Sequence, residues 1–430
     1  MANWLMEPVS HTYSDRMRQR PLVVFLDSYS WQAFIDLAGA LRHRNVRVAR
    51  VSSRARSPRI LLVQSMESLV FGRTRRMVEG GLLFGSSASL PPEALAAAVP
   101  SRVTDVQMQE DLIASAMAVP GGGADISRRV RPGVDPQVLV DKWVQDQWAR
   151  QAGVPTPQVW AGPSAESFPV VVKIRVGFGG NGVRIVHDQE ALVGAWAEFT
   201  SPDGVTPFLQ ECLQPSVHTG GVALEGEVLV CVAYDGRPAA DDPTGPPYTV
   251  VALESPEAAA ATTLFIGEIG YTGFFCFDWV VDAEGTLRLI DFNSRVFGSW
   301  SALQELGFDL ISPYLHALGA GPRTEPTVGR YGVAVTTMRY PCPDTSSFEA
   351  VQRWRTETLD IIARRKTYLG TRWATVMLMR TALGTLRAKG KVRRMRKNDS
   401  APGSVPQHGG GAAACQSTAS AAHETAAART

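Results

Sequence analysis

The sequence predicts an α/β protein that continues into α+β lobes and ends in a helical segment. Three observations lead to this prediction. A strand–helix–strand pattern opens the chain, two later stretches have the alternation of antiparallel hairpins, and apolar positions at helical spacing return after residue 347. At 430 residues, of which 45% are hydrophobic and 20% charged, the chain is long enough for two or three globular domains.

The first 125 residues are predicted to form a Rossmann-like domain. PLVVFLD is typical of a buried strand, WQAFIDLAGALRH of a helix and VRVARVS of a second strand, which together make a βαβ unit. RILLVQ predicts a further strand and PEALAAAV a further helix, so we expect a small open sheet. Residues 28–31 follow the first strand, where open sheets bind ligands, and are candidates for substrate contact. Capping of the helix is the favoured role for at least one of Ser28 and Ser30.

Bulk properties exclude several classes of protein. The net charge of +2 is too small to indicate a nucleic-acid partner. The N-terminus lacks the apolar segment of a signal peptide and no run of 18 apolar residues occurs, so the sequence predicts a cytoplasmic location. No CxxC pair occurs, and we expect buried free thiols. The cysteines are Cys212, Cys231, Cys276, Cys342 and Cys415.

A glycine-rich stretch at residues 169–186, PVVVKIRVGFGGNGVRIV, carries the first chemical signal. Its Gly177-x-Gly179-x-x-Gly182 is nominally a dinucleotide fingerprint, but VRIV then alternates like a strand, whereas a Rossmann loop leads into a helix. We therefore expect a loop between two antiparallel strands, whose backbone N–H groups close over a polyphosphate while Lys173 supplies a charge. A plain hairpin is the alternative.

A helix precedes this stretch and a hinge follows it. DKWVQDQWARQ, ended by Gly153, opens with Lys142, which either reaches a phosphate or remains a solvated charge. FLQECL, at residues 208–213, mixes apolar and polar side chains as a hinge between lobes would, and offers backbone and side-chain groups to an adenine. His218 lies further along, either near a ribose or at the surface.

The most informative stretch lies at residues 272–300. Apolar FFCF leads to Asp278, AEG makes a tight turn and LRLI returns to Asp291, so we expect a hairpin with facing acids. Asn293 lies on the same strand face as Asp291. Two carboxylates and an amide oxygen suit Mg²⁺ bound with phosphates, and Arg295 would stabilise developing oxyanion charge. A strand that merely runs into a polar turn is the alternative.

Lysine, glycine hairpin, hinge and acid hairpin, in this order, resemble the ATP-grasp superfamily over residues 141–322. The resemblance implies two antiparallel-sheet lobes that clamp ATP, with two lysines on the phosphates and the loop glycines above them. It places Gln210 or Glu211 at the adenine amino group, the backbone of residues 211–213 at the ring edge, and His218 near the ribose. The residues assigned to ATP are Lys142, Lys173, Gly177, Gly179, Gly180, Gly182, Gln210, Glu211, Leu213 and His218.

The same resemblance implies a metal site at Asp278, Asp291 and Asn293 and a catalytic role for Arg295 with Lys173. The site would hold one or two Mg²⁺ ions, with Mn²⁺ as an alternative. The family usually has glutamate as the second ligand, and Asp291 is one methylene shorter, which leaves the number of ions open.

The stretch after the metal site resembles the carboxylate–amine ligase branch, and the N-terminal domain resembles the pre-ATP-grasp domain of such ligases. These resemblances imply an ATP-dependent ligase that joins a carboxylate to an amine through an acyl phosphate, for example in secondary-metabolite biosynthesis. Its substrates would be small molecules or peptides, and a homodimer is one expected assembly. An ATP-grasp carboxylase or carbamoyl-type kinase acting on a small acid, and a non-catalytic ATP-binding module, are the alternatives.

Beyond residues 1–125, the predicted divisions are an ATP-grasp domain at 126–325, a C-terminal strand and helices at 326–397, and a disordered tail at 398–430. RYGVAVTTMRYP predicts the strand, and two helical segments are expected over about residues 347–386. Seven Lys or Arg residues follow between Arg387 and Lys397. We favour a docked amphipathic helix with a solvated basic tail over a helix lying on an anionic membrane.

Overall fold

The computed structural model describes residues 21–26, 31–52, 58–71, 74–76, 105–108, 128–177, 182–201, 204–238, 247–338 and 344–399. Within these residues the strands form one parallel sheet and two antiparallel sheets, which confirms the predicted fold class. Predictions for residues 28–30, 92–99, 179–180 and 400–430, and for Cys342, lie outside the described residues.

The N-terminal sheet has the strand order β3-β2-β1-β4, and all its pairs are parallel. PLVVFLD, WQAFIDLAGALRH and VRVARVS contain β1, α1 and β2, so the predicted βαβ start is confirmed. The strands are β1 (Leu22–Leu26), β2 (Arg47–Ser52), β3 (Thr74–Arg76) and β4 (Asp105–Met108), and the helices are α1 (Gln32–His43) and α2 (Pro58–Phe71).

The strand predicted at RILLVQ is wrong, because these residues lie in α2. Glu67, Val70 and Phe71 are buried at intervals of three and four residues, which is the spacing of one helix face. The run ILLV alone has the length of a strand, but the helical period becomes visible only when the continuation to Phe71 is included.

The second sheet is small, antiparallel and ordered β5-β8-β6-β7. β6 and β7 flank the glycine-rich stretch, so the prediction that its loop joins two antiparallel strands is confirmed. A short 3₁₀ helix (Pro136–Leu139) and α3 (Lys142–Gln151) precede this sheet, and α4 (Gln189–Phe199) packs against it. The strands are β5 (Val159–Trp160), β6 (Val170–Lys173), β7 (Val183–Val186) and β8 (Phe208–Glu211).

The third sheet is the largest, with the order β13-β12-β9-β10-β11-β14. Phe274 and Cys276 of β12 pack into one apolar core with α1, while Phe275 and Phe277 pack into another with α5, so both faces of the strand are buried. The elements are β9 (Gln214–Leu224), β10 (Glu227–Arg237), β11 (Thr249–Leu253), α5 (Pro256–Ile269), β12 (Gly273–Val281), β13 (Leu287–Asn293), α6 (Trp300–Glu305), α7 (Ile311–Ala317) and β14 (Ala334–Thr336).

The C-terminal helical segment, α8 (Phe348–Asp399), is broken at Gly370, whose φ of 86° and ψ of 165° are not helical. We call residues 348–369 its first arm and residues 371–399 its second arm. Val351 and Trp354 of the first arm share an apolar cluster with Ala388 and Val392 of the second, so the arms fold back on each other. α8 also packs on α1 and α2.

The expected docking of this helix on the protein is thus confirmed. The basic segment is not a separate tail, although Lys391, Arg393 and Arg394 are exposed as predicted. Residues 387–399 continue the helix, because Ala388 and Val392, one helical turn apart, are buried against the first arm. Among the described residues, no helix combines the length and the apolar character needed to cross a bilayer. Contact of the basic segment with a membrane surface stays a prediction.

Candidate active site

The acid hairpin forms as the sequence predicts. β12 and β13 pair antiparallel, with Asp278 opposite Asp291 and Cys276 opposite Asn293. Residues that face each other in an antiparallel pair project from the same side of the sheet, so both carboxylates and the Asn293 amide share one face. The Asp278 and Asp291 side chains are 32% and 20% exposed, which leaves them accessible to a ligand.

Lys142 lies beside these acids because of how α3 begins. Asp141 caps the helix by accepting the backbone N–H of Trp143 at 2.9 Å, and it also binds the Arg175 guanidinium at 2.9 Å. The Lys142 Nζ atom lies 3.2 Å from Asp291 Oδ1 and donates to the Gly177 carbonyl at 3.0 Å. The alternative of a solvated surface charge is therefore wrong for Lys142, whose side chain is only 8% exposed.

Lys173 ends β6 and also points at the acid hairpin. Its Nζ atom donates to the Ile290 carbonyl at 3.4 Å. Burial lowers the pKa of Lys173 to about 8; the negative charges of Asp291 and Asp278 oppose this shift, and the positive charge of Lys142 adds to it. A second anion, such as a phosphate, would therefore be favoured next to these two lysines.

Gln145 holds the hairpin from α3. β13 is an edge strand, so one side of its backbone needs hydrogen-bond partners outside the sheet. The Gln145 side chain supplies two of them, accepting from the Phe292 N–H at 3.1 Å and donating to the Phe292 carbonyl at 2.8 Å. The sequence analysis did not identify Gln145, because no local pattern signals a contact with a residue 147 positions away.

His218 lies on β9 directly opposite Asp278. Its Nδ1 atom lies 2.8 Å from Asp278 Oδ1, and its ring stacks on Tyr234 with centroids 5.1 Å apart. Burial acts to lower the pKa of His218, but the hydrogen bond to Asp278 and the charges of Asp278 and Asp235 raise it overall. The ribose contact stays a prediction, and the structure adds a contact with a candidate metal ligand.

Asp278 is correspondingly held in its charged form. Burial acts to raise its pKa, but the hydrogen bond with His218 and the charges of His218, Lys142 and Lys173 lower the pKa of Asp278 overall. A carboxylate that stays ionised and partly accessible is suited to bind a cation.

Arg295 lies immediately beyond the acid hairpin. It donates to Asn293 Oδ1 at 3.2 Å and to the Val296 carbonyl at 3.1 Å. Its guanidinium carbon also lies 4.6 Å from the centroid of the Trp31 ring, a cation–π contact. Trp31, which the sequence offered only as a general candidate for substrate contact, thus brings the N-terminal domain to the site.

The predicted hinge connects the two antiparallel sheets. β8 belongs to the small sheet and β9 to the large one, and only two residues separate them. Gln210 is 4% exposed, and the Glu211 side chain accepts from the Gln158 backbone N–H at 3.2 Å. The adenine roles of Gln210, Glu211 and Leu213 stay predictions.

At the two ends of the glycine loop, Gly177 contacts Lys142 and Gly182 has a φ of 79°. A Cβ atom at Gly182 would lie 2.2 Å from the Ile174 side chain, so the position needs glycine for space as well as for conformation. Gly179 and Gly180 lie outside the described residues.

The residues present fit a magnesium ion by their chemistry. Two carboxylates and one amide oxygen on one sheet face are hard oxygen donors, which Mg²⁺ prefers. Within the part of the chain that the structure describes, no group of three or more His, Cys, Asp or Glu side chains is arranged to hold a metal ion by itself.

Comparison with known proteins shows which solved structures share the fold of this chain. No family model and no curated protein matches the sequence. Solved structures do match. N5-carboxyaminoimidazole synthetase from Staphylococcus aureus with ADP has a TM-score of 0.50 at 11% identity, covering 72% of this chain and 80% of that one. Biotin carboxylase from Campylobacter jejuni has a TM-score of 0.51 at 16% identity, covering 71% and 73%.

A third structure, the biotin carboxylase domain of Hydrogenobacter thermophilus 2-oxoglutarate carboxylase with MgADP and bicarbonate, has a TM-score of 0.53 at 16% identity, covering 73% of both chains. At these identities the likeness shows the fold. Two antiparallel sheets joined by a hinge, together with a parallel N-terminal sheet, are consistent with the predicted ATP-grasp fold. The chain therefore has the fold of the ATP-grasp superfamily, as its sequence predicts.

Proposed function

We propose that the chain is an ATP-dependent ligase that joins a carboxylate to an amine and releases ADP and phosphate. One observation carries the proposal: Asp278, Asp291 and Asn293 share a sheet face, and two buried lysines from α3 and the small sheet approach it. This arrangement supports the proposal, because lysines bind phosphates, and carboxylate and amide oxygens bind Mg²⁺. The fold shared with nucleotide-bound structures supports the same interpretation.

In this proposal ATP lies between the two antiparallel sheets. Lys142 and Lys173 bind its phosphates, the glycine loop closes over them, and residues 210–213 contact the adenine. Asp278, Asp291 and Asn293 would hold Mg²⁺, which would neutralise negative charge on the phosphates. The Lys142–Asp291 ion pair keeps both side chains in place before ATP arrives.

The reaction follows from positioning and charge. A carboxylate oxygen of the acid attacks the γ-phosphorus of ATP, the bond to the ADP oxygen breaks, and an acyl phosphate forms. The amine then attacks the acyl carbon, phosphate leaves with the electron pair of the broken C–O bond, and the amine proton passes to water or phosphate. Arg295 donates to the oxyanion of the tetrahedral intermediate, which is where a fixed donor has the largest effect.

The test is a screen of Mg²⁺-dependent ATP hydrolysis against pools of amino acids and small carboxylic acids, with mass spectrometry of the active wells. We expect hydrolysis that requires an acid and an amine together, and a product lighter by one water than the two substrates combined. The Asp291→Asn variant is the matched negative control. ATP binding without turnover under any combination would contradict the proposal and favour a nucleotide-binding module.

A carboxylase that activates bicarbonate is the second candidate. The observation in its favour is that biotin carboxylases, one of them with bicarbonate bound, are among the structures with TM-scores above 0.5. The same assay separates the two functions, because bicarbonate alone would stimulate ATP hydrolysis by a carboxylase or a carbamoyl-type kinase. A ligase would show no such stimulation.

A further inference from the structure

The chain segment around Arg295 receives contacts from parts of the protein far away in sequence. We call residues 293–297 the Arg295 turn; it follows β13 and leads towards α6. Trp31, Gln107 and Arg129 all reach this turn. Trp31 precedes α1 and Gln107 lies on β4, so the N-terminal domain supplies two of the three contacts.

Two of these contacts fix the backbone on both sides of Arg295. Arg129 Nη1 donates to the Ser294 carbonyl at 2.9 Å, and the Val296 N–H donates to Gln107 Oε1 at 3.1 Å. These backbone groups lie on the two residues that flank Arg295. Holding both of them limits how far its Cα atom can move or rotate.

Gln107 is itself held in one orientation. It is fully buried, and its Nε2 atom donates to Asp105 Oδ2 at 2.7 Å and to the Tyr314 hydroxyl at 3.2 Å. Burial raises the pKa of Tyr314 well above its usual value, and the neighbouring Asp105 raises it further, so the hydroxyl keeps its proton and donates it to Asp105. The Gln107 amide oxygen is thereby directed at Val296.

Asp105 also joins the two backbone contacts into one network. Its Oδ1 atom accepts from Arg129 Nη2 at 2.6 Å, while its Oδ2 atom accepts from Gln107. β4 pairs with β1 through residues 105–108, so Asp105 and Gln107 are both anchored to the parallel sheet. The network therefore connects a rigid element of the N-terminal domain to the Arg295 turn.

We infer that Gln107 is a positioning residue for Arg295, through which the N-terminal sheet fixes the geometry of the candidate active site. The inference about geometry stands on these contacts, and its consequence for turnover rests on the proposed ligase function. Gln107 does not approach the acids or the lysines in any described contact, so its effect on the reaction would pass through Arg295 alone.

The experiment uses Gln107→Met in the full-length protein, which keeps the length of the side chain and removes its hydrogen bonds. Hydrogen–deuterium exchange, read by mass spectrometry, should show faster exchange in the peptide that covers Val296 and unchanged exchange in β9 and β10. Turnover should fall about tenfold with little change in KM for ATP. The matched control is Thr262→Val. This variant also removes a buried hydrogen bond, the 2.8 Å contact between Thr262 and Thr219, which lies outside the Arg295 turn.

The double variant separates positioning from general destabilisation. If Gln107 acts through Arg295, Gln107→Met should cause no further loss of turnover in an Arg295→Ala background, whereas independent effects would multiply. A tenfold loss in both backgrounds would overturn the inference, as would unchanged exchange at Val296. If the wild-type protein turns over no substrate, the proposed function fails, and the exchange measurement alone decides whether Gln107 holds the turn.

Discussion

The candidate active site and the interface between α8 and the rest of the protein both bring acids and cations together, but in different ways. At the site, Asp278 and Asp291 are 32% and 20% exposed and pair with His218 and Lys142. At the interface, Arg365 is 1% exposed and Asp36 2% exposed. The comparison indicates that accessibility, more than residue type, separates the charge cluster of the candidate site from a structural one.

Hydrogen bonds to three different groups hold Arg365 in this interface. Arg365 donates to Glu305 at 2.9 Å, to the Ser301 hydroxyl at 2.8 Å and to the Thr336 carbonyl at 3.1 Å, so each of its three nitrogens has a partner. Asp36 on α1 accepts from the Trp373 indole at 2.8 Å. The first arm of α8 is thus joined to α6 and β14, and the second arm to α1.

A second buried network lies further along the same helix. Glu67 on α2 is fully buried between Arg50 on β2 and Arg380 on the second arm, with Arg380 Nη1 3.3 Å from Glu67 Oε1. Such buried pairs gain little net free energy when formed, but leaving one partner behind is costly. Both networks therefore make α8 an integral part of the fold.

The largest expected effect is on stability and comes from Arg365→Met. Removing this guanidinium leaves Asp36 and Glu305 without their shared cation in a buried setting, and we expect the free energy of unfolding to fall by roughly 3–5 kcal/mol. Chemical denaturation measures this change. The matched control is Arg364→Met, because the neighbouring Arg364 also binds Glu305 but is 40% exposed, and exposed pairs contribute at most about 1 kcal/mol. Equal losses in the two variants would show that burial does not distinguish them.

The next effect is on activity and comes from Asp291→Asn. The amide keeps the size of the side chain but loses the charge that pairs with Lys142 and that, in the proposed function, would bind the metal. Turnover should therefore fall at least about a hundredfold, near 3 kcal/mol. The free energy of unfolding should fall by less than in Arg365→Met, because Asp291 is 20% exposed whereas Asp36 is 2% exposed. Glu284→Gln, an exposed acid in the turn of the same hairpin, should leave turnover unchanged. A large loss of stability in Asp291→Asn would place this acid with the structural networks instead.

Local pattern explains which features the sequence predicted. The facing of Asp278 and Asp291 follows from the turn and the two-residue period of strands, and the glycine hairpin follows from the alternation of VRIV. Gln107, Arg129 and Gln145 could not be found in this way, since their partners lie 189, 165 and 147 positions away. α2 was misassigned for a related reason: a short apolar run suits a strand or a helix, and the buried Glu67 hides the helical period until its partners Arg50 and Arg380 are known.

The smallest expected effect concerns the charge of Lys173. It tests whether this lysine belongs with the candidate site or with the structural charge networks. Burial lowers the pKa of Lys173 to about 8, whereas the charges around Arg365, including those of Asp36 and Glu305, outweigh its burial and raise the pKa of Arg365. A lysine must be protonated to attract a phosphate, so ATP affinity should be constant below pH 8 and weaken as the pH rises above it. If ATP binds only the protonated form of Lys173, its affinity should fall nearly tenfold for each pH unit above the pKa, near 1.4 kcal/mol.

Isothermal titration calorimetry of ATP with Mg²⁺ between pH 7 and 9 measures this dependence. Lys173→Arg is the matched control, because a guanidinium stays charged throughout this range, so the affinity of that variant should be flat with pH whatever its absolute value. A flat profile in the wild-type protein as well would mean that Lys173 contributes no titrating charge to ATP binding. The phosphates would then be held by Lys142 and the glycine loop, and Lys173 would be grouped with the buried arginines as a structural cation.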